Sequence, residues 1–333
     1  MSRIFNRLFP LLQALLAITL FSSGCRKELP VIRVGMNLWP GYEFLYLAKE
    51  KGYFLEEGIN LQLYDFVSLS DSRRAFERGQ IDVLAGTVVE MLIIRENSYS
   101  APQVFYVTDF SNGADVILGR KPVQSITELK EKRVGVEPAS LDLLTINLAL
   151  KKNGMTLKDV TLVPMAQNEM DDHFNNGSVD AICTYPPTSV KLVNKGNANR
   201  LFDSSQIPGY IVDILMADGQ FISQRADDLA KVILGYERAL QFMNGNPEEA
   251  LNIMAGHEQI SAGELETALK GVQIVPLNDQ KHFFQPRGQI FQATENALDI
   301  LRSTGVLQKD LDAENVINHS PMLLACSKLQ EDE

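Results

Sequence analysis

Polarity along the chain falls into an apolar opening followed by a long alternation of two periods. Residues 8–21 are apolar except for Pro10, Gln13 and Thr19, and the small residues Ser22, Ser23 and Gly24 end the run at Cys25. From residue 31 onward, short strand-like runs take turns with stretches of helical period. Residues 31–36 and 60–66 predict strands, 44–51 and 70–78 predict helices, and 81–85 predict a buried strand. The same order then returns, with strands over 133–136, 160–163 and 179–182 and helices over 141–152 and 170–176. Gly52, Gly79, Gly154 and Gly177 stand where these helices stop. Longer amphipathic helices follow over 226–243, 247–255 and 289–301. The last residues, 323–333, read as a polar tail, frayed from Ser327.

Strand–helix–strand order with short glycine-marked turns implies an α/β fold of parallel-rich sheets flanked by helices. Two such units, over 31–112 and 115–210, imply two lobes. With the late helices packed back onto the first unit, the lobes are expected at 31–112 plus 214–322 and at 113–213. The two units also match in detail. Residues 76–83 and 174–181 each run from a helix end with Phe, through Gly79 or Gly177, to a strand whose second residue is Asp82 or Asp180. The glycine suits the left-handed turn that closes a helix. Aspartates at strand starts point to structure rather than to ligand.

The opening changes where the chain is expected to work. Arg3 and Arg7 precede the apolar run, which is short for a membrane span, so residues 1–24 read as a secretory signal and 25–30 as a linker. Gly24-Cys25 resembles a bacterial lipobox, with Ser22 where such boxes carry Leu. Lipidation of Cys25 and ordinary cleavage are therefore both open, and a periplasmic location is expected either way. A chain beginning at Cys25 loses two arginines, and its formal charge moves from −11 to −13. Such acidity argues against nucleic acid, whose phosphates call for clustered Lys and Arg. Cys183 and Cys326 lie far apart without metal or redox spacing, and two free thiols are expected. His173, His257, His282 and His319 are scattered and read as surface or satisfied-core residues. Neither a metal nor a cofactor is signalled.

Trp39-Pro40-Gly41-Tyr42, residues 48–54 (AKEKGYF) and Glu57-Gly58-Ile59 resemble the opening of NMT1/THI5-like solute-binding proteins. Residues 109–115 (DFSNGAD), 129–136 (LKEKRVGV), Asp180-Ala181, Tyr185-Pro186-Pro187 and Asn246-Pro247-Glu248-Glu249-Ala250 extend the resemblance to about residue 322. It implies a type II periplasmic-binding-protein fold, with two lobes joined by two crossover strands, near 109–118 and 207–216, that close on ligand. The implied partners are a small molecule and an ABC permease with its ATPase, or a membrane sensor protein, with the chain acting as a monomer. The fungal branch of the family makes a thiamine pyrimidine and carries a cysteine-rich motif. This chain has no such cluster, and no catalytic residue is expected.

In α/β sheets, ligands sit beyond the carboxyl ends of strands. That places the candidate site on the loops at 37–42, after Ala85, after Val136 and at 184–188. Trp39, Tyr42 and Tyr185 offer flat apolar surface with a polar handle, for ligand or for core. Gly41 and Gly86 suit turns or close approach. Thr87 and Ser140 serve a ligand or cap the following helices. Asn112, in the resembling segment, is a further candidate. The loops hold no Arg or Lys, whereas they carry Glu43, Glu90, Asp115, Glu137 and Asp213. Glu43 is assigned to solvent or a helix cap. An acidic, aromatic cleft suits a cationic or nitrogen-rich molecule such as a pyrimidine, and helix starts leave sulfonate, taurine or nitrate open.

Overall fold

The computed structural model describes residues 28–331, so the signal segment and Cys25 lie outside the described residues. The predicted repeat is present. Strands β1 (Val31–Asn37), β2 (Asn60–Phe66) and β3 (Val83–Thr87) are joined through helices α1 (Glu43–Glu50), α2 (Tyr53–Glu56) and α3 (Leu69–Glu77). Helix α4 (Val88–Asn97) and strand β4 (Pro102–Ser111) follow. The second unit comprises β5 (Val116–Arg120), β6 (Arg133–Val136), α5 (Leu141–Lys152), β7 (Thr161–Pro164) and α6 (Met170–Asn176). It continues through β8 (Ala181–Thr184), α7 (Thr188–Asn194) and β9 (Ala198–Asp203). The chain then returns through β10 (Val212–Asp218), the 27-residue helix α8 (Gly219–Gly245), α9 (Pro247–Glu258), α10 (Ala262–Leu269) and β11 (Val272–Ile274). Helices α11 (Leu277–Phe284), α12 (Gln289–Ser303) and α13 (Ser320–Glu331) close it.

Two sheets result, with strand orders β11-β4-β10-β3-β1-β2 and β7-β6-β8-β5-β9. The predicted strands pair parallel within each unit, β1 with β2 and β3, and β6 with β7 and β8. The remaining pairs are antiparallel, so both sheets are mixed where the sequence predicts parallel-rich ones. The physical reason lies in the crossings. The chain leaves the first sheet after β4 and re-enters it as β10, running against β3 and beside β4. Residues 112–115 and 204–211 make the two passages, and they are tied to each other. The Ser111 and Ser204 hydroxyls lie 2.7 Å apart, and Ser204 Oγ also accepts from Gly113 N at 2.6 Å.

The matched segments are matched structures. Gly79 and Gly177 adopt φ 67° and 79°, a left-handed conformation that closes α3 and α6. Asp82 accepts from the backbone and guanidinium of Arg33, at 2.9 and 2.6 Å, and Asp180 repeats this with Arg133 at 3.0 and 3.3 Å. Both aspartates thus fasten strand starts. Two readings need correction. Val88 and Glu90, read as part of the loop after Ala85, lie on helix α4, which is apolar on nearly every face and shows no amphipathic period. The polar end is likewise not frayed over residues 327–330. It continues α13, whose Met322 and Ala325 are buried and whose Lys328 pairs with Asp227 at 2.8 Å.

Candidate functional site

The carboxyl ends of β1, β3, β6 and β8 face one another across the junction of the two sheets, with the amino end of β10 among them. They enclose a cavity lined from the first sheet's side by Asn37, Trp39, Tyr42, Leu69, Thr87 and Asp213, and from the second's by Asp115, Leu141 and Tyr185. Every one of these side chains is buried, and the cavity has ≈10 Å³ of room for water centres, about one molecule. Six sequence candidates therefore come together here, namely Trp39, Tyr42, Thr87, Asp115, Tyr185 and Asp213.

The aromatic residues are held by the acids. Trp39 Nε1 donates to Asp109 Oδ1 at 3.0 Å, and the Tyr42 hydroxyl donates to Asp213 Oδ1 at 2.5 Å. Tyr185 meets Trp39 edge to face, with centroids 6.0 Å apart, and its hydroxyl accepts from Asn37 Nδ2 at 3.2 Å. Gly41 is required by this arrangement, since a Cβ there would lie 2.0 Å from Asp109 Oδ2. Asp109 and Asp213 are direct cross-strand partners on β4 and β10. Like charges so placed repel, and such a pair titrates as a unit. Burial, and then the charge of Asp109, pushes Asp213 well above the ordinary carboxylate range. Burial also raises Asp109, against the bond from Trp39, and brings Asp115 up to about 7.

What the walls lack is as informative as what they hold. Oδ2 of Asp109, Asp115 and Asp213, Oε2 of Glu137 and Oδ1 of Asn37 are buried without a hydrogen-bond partner among the described residues. No Arg or Lys lines the cavity. The nearby guanidinium of Arg73 is paired with Glu77 on α3. Buried acceptors without donors are costly, so these oxygens remain open to a hydrogen-bond donor.

Two of the helices that begin at the cavity wall, α3 and α5, are already capped by carboxylates from the opposite side. Glu137, before α5, accepts from Ser70 N in the first turn of α3 at 2.5 Å. Glu90, on α4, accepts from Leu141 N at the start of α5 at 3.0 Å, and its other oxygen accepts from Thr87 N at 3.2 Å. Burial brings Glu137 to about 7 and raises Glu90, in each case against these bonds. Glu90 is thus a cap and a bridge between the sheets rather than a cavity wall. Ser140 is the N-cap of α5, accepting from Asp142 N at 3.4 Å. Thr87 caps α4 and lines the cavity at once.

Two further assignments move. Asn112 is exposed on the first passage, and it borders an outer groove with Arg200 and Asp203 instead of the cavity. Glu43 is fully buried, neither in solvent nor acting as a cap, with both carboxylate oxygens within 3.0 Å of His257 Nδ1. Sequence reading missed Asn37, Leu69, Leu141 and the latch role of Glu137. Leu69 and Leu141 each follow a capping serine, which is the signal that could have placed two helix starts at the cavity.

The profile of a family described as NMT1/THI5 like matches residues 39–250, more than half of the chain. A putative aliphatic sulfonates-binding protein of Bacillus subtilis is 22% identical over 306 residues, 90% of this chain and 89% of that protein. A formylaminopyrimidine-binding protein of Halalkalibacterium halodurans is also 22% identical, over 74% of this chain and 78% of its own. Among solved structures, the alkanesulfonate-binding protein of Xanthomonas axonopodis pv. citri bound to MOPS superposes with a TM-score of 0.76 at 16% identity. The match covers 87% of this chain and 99% of that one.

Proposed function

Because this chain belongs to the NMT1/THI5-like family, we propose that it is a solute-binding component of an ABC importer. It closes on a small nitrogen-rich molecule between its sheets and releases it unchanged to a permease. It works outside the cytoplasm as a monomer, held at the membrane by lipid on Cys25. The observation that carries the ligand class is the acceptor-rich cavity. Asp115 and Asp213 each present a buried oxygen without a donor, and no Arg or Lys faces them. A sulfonate or nitrate would bring more oxygen acceptors to helix starts that Glu90 and Glu137 already fill. An aminopyrimidine brings N–H groups instead, with a flat ring for Trp39 and Tyr185. Cys183 is no nucleophile for it, since burial, with Asp142 and Asp115 nearby, drives its thiol further from ionisation.

A thermal-shift screen tests the reading. Aminopyrimidines at about 100 times their dissociation constant stabilise the folded state by about 2.7 kcal/mol, a readily measured rise in Tm. Alkanesulfonates and taurine should leave Tm unchanged. A shift with sulfonates and none with aminopyrimidines overturns the ligand class.

A further inference from the structure

Helix α1 starts beside the cavity without a side-chain cap. Ser68, Thr87 and Ser140 cap α3, α4 and α5, whereas Tyr42, at the cap position of α1, makes no such bond. Its hydroxyl is spent on Asp213 instead. Yet this start carries two of the cavity walls. The Trp39 carbonyl accepts from Tyr42 N at 2.9 Å and from Glu43 N at 3.3 Å, so Trp39, Tyr42 and Glu43 form one turn. Wherever the first turn of α1 lies, Trp39 and Tyr42 lie with it.

Three side chains from other elements hold that turn. Asp109 on β4 takes the Trp39 indole at 3.0 Å, and the Tyr236 hydroxyl on α8 donates to Gly41 O at 3.0 Å. The third is His257 on α9, which stands outside the cavity lining. Its Nδ1 lies 3.0 and 2.8 Å from the two oxygens of Glu43, and its Nε2 lies 3.4 Å from Asp65 Oδ2 on β2. Its ring stacks on Tyr46, one turn further along α1, with centroids 3.9 Å apart and planes 13° from parallel. A carboxylate beside each ring nitrogen calls for a proton on each. Although burial opposes that charge, bonds from Asp65 and Glu43 bring the ring up to about 10. The adjacent Glu258 does not compete for it. Burial, and then the charge of Glu43, pushes that carboxyl well above the ordinary range, and neither of its oxygens has a partner among the described residues. His257 thus grips one face of α1 twice, through the charge of Glu43 and the ring of Tyr46.

We infer that His257 is a positioning residue of the binding site, setting through Glu43 and Tyr46 the turn that carries Trp39 and Tyr42. A charge-assisted bond to a fully buried carboxylate is short and directional, and binding walls keep their geometry only when held to about 0.5 Å. The inference rests on the inner cavity being the binding site, and it adds a residue that acts on that site without lining it.

Trp39 is the only tryptophan of the chain, so its emission and near-UV circular dichroism report on this turn. In the full ligand-free chain, His257→Leu should change both signals. His257→Asn, whose amide nitrogen can occupy the place of Nδ1, should restore most of them. Glu43→Met with His257→Leu leaves no unpaired buried charge at the contact. This double variant should change the signals as well, and it decides the matter where His257→Leu folds poorly. Asp180→Asn, a destabilised control far from the turn, should leave them as they are. By calorimetry with an aminopyrimidine, His257→Leu should bind about 10-fold more weakly, as for one lost hydrogen bond to a charged group, and His257→Asn close to normally. Unchanged Trp39 signals in the double variant overturn the inference. So does a change that Asp180→Asn reproduces, or a changed signal with affinity unaltered. Failure of the unaltered protein to bind any aminopyrimidine overturns the proposed ligand class, while the ligand-free Trp39 signals still decide for or against His257.

Discussion

Asp82 and Asp180 stand at the outer, amino ends of β3 and β8, while Asp115, Asp213 and Glu137 stand where the two sheets face each other. The outer pair is matched within the protein, each aspartate held by the backbone and guanidinium of an arginine on the neighbouring strand. The inner group is deeper and has no such match. Its carboxylates rely on serine, tyrosine and backbone donors, and they keep oxygens that nothing in the described residues reaches. The same side-chain chemistry thus serves two ends. Where the counter-charge belongs to the chain, the carboxylate fastens the fold; where it is missing, the carboxylate keeps an open acceptor.

The comparison is most easily broken at the inner end. Asp115→Asn and Asp213→Asn should each weaken an aminopyrimidine about 10- to 100-fold by calorimetry, as expected for losing a charge-assisted hydrogen bond. The ligand-free protein should unfold at the same or a higher temperature, because an amide carries no buried charge. A drop in ligand-free Tm with affinity unchanged would assign these acids to the fold instead. At the outer end the pattern should reverse. Asp82→Asn or Asp180→Asn should lower stability by about 1–2 kcal/mol, the loss of a partly exposed charged hydrogen bond, with affinity unaltered. Denaturant unfolding and calorimetry on the same samples would show it.

The smallest effect is a pH dependence, and its sign sharpens the contrast. Asp115 and Glu137 are raised to about 7 by burial. Their contribution to ligand-free stability is complete below the ordinary carboxylate range and is lost as pH rises through about 7. His257 adds in the same direction. Burial opposes its charge, but bonds from Asp65 and Glu43 raise it from 6.5 to about 10, so its contribution is complete below 6.5 and is lost as pH rises towards about 10. Asp180 acts oppositely. Although burial works against it, the bonds from Arg133 hold it below its ordinary value, and its contribution is lost as pH falls through that lowered value. Ligand-free Tm should therefore rise when pH is lowered from 8 to 6. The gain on adding a cationic ligand should be larger at pH 8, where the inner carboxylates are ready to be ionised. A ligand-free Tm that falls over this range would remove the inner acids as its cause.

The repeat of strands and helices was legible because the predicted helices keep one periodicity and stop at Gly52, Gly79, Gly154 and Gly177. The crossing strands were less so. β4 and β10 are apolar on both faces, and their antiparallel pairing depends on residues a hundred positions apart. Much of the cavity could be read because loops after strands have a known address in α/β folds, which placed Trp39, Tyr42, Thr87 and Tyr185. Glu43 escaped because its partner, His257, lies 214 positions away. Asn112 was misplaced for a related reason. Its neighbours Ser111 and Asp115 turn inward, while the backbone at 112 turns to Gly271, to whose carbonyl its N–H donates at 2.8 Å.

The bond between Ser111 and Ser204 has a mechanical meaning. Two independent connectors between rigid bodies permit twisting and sliding as well as bending. Connectors pinned to each other at one point form an axle, and the torsions of one become coupled to those of the other. Any relative movement of the two sheets would therefore have to turn both passages together.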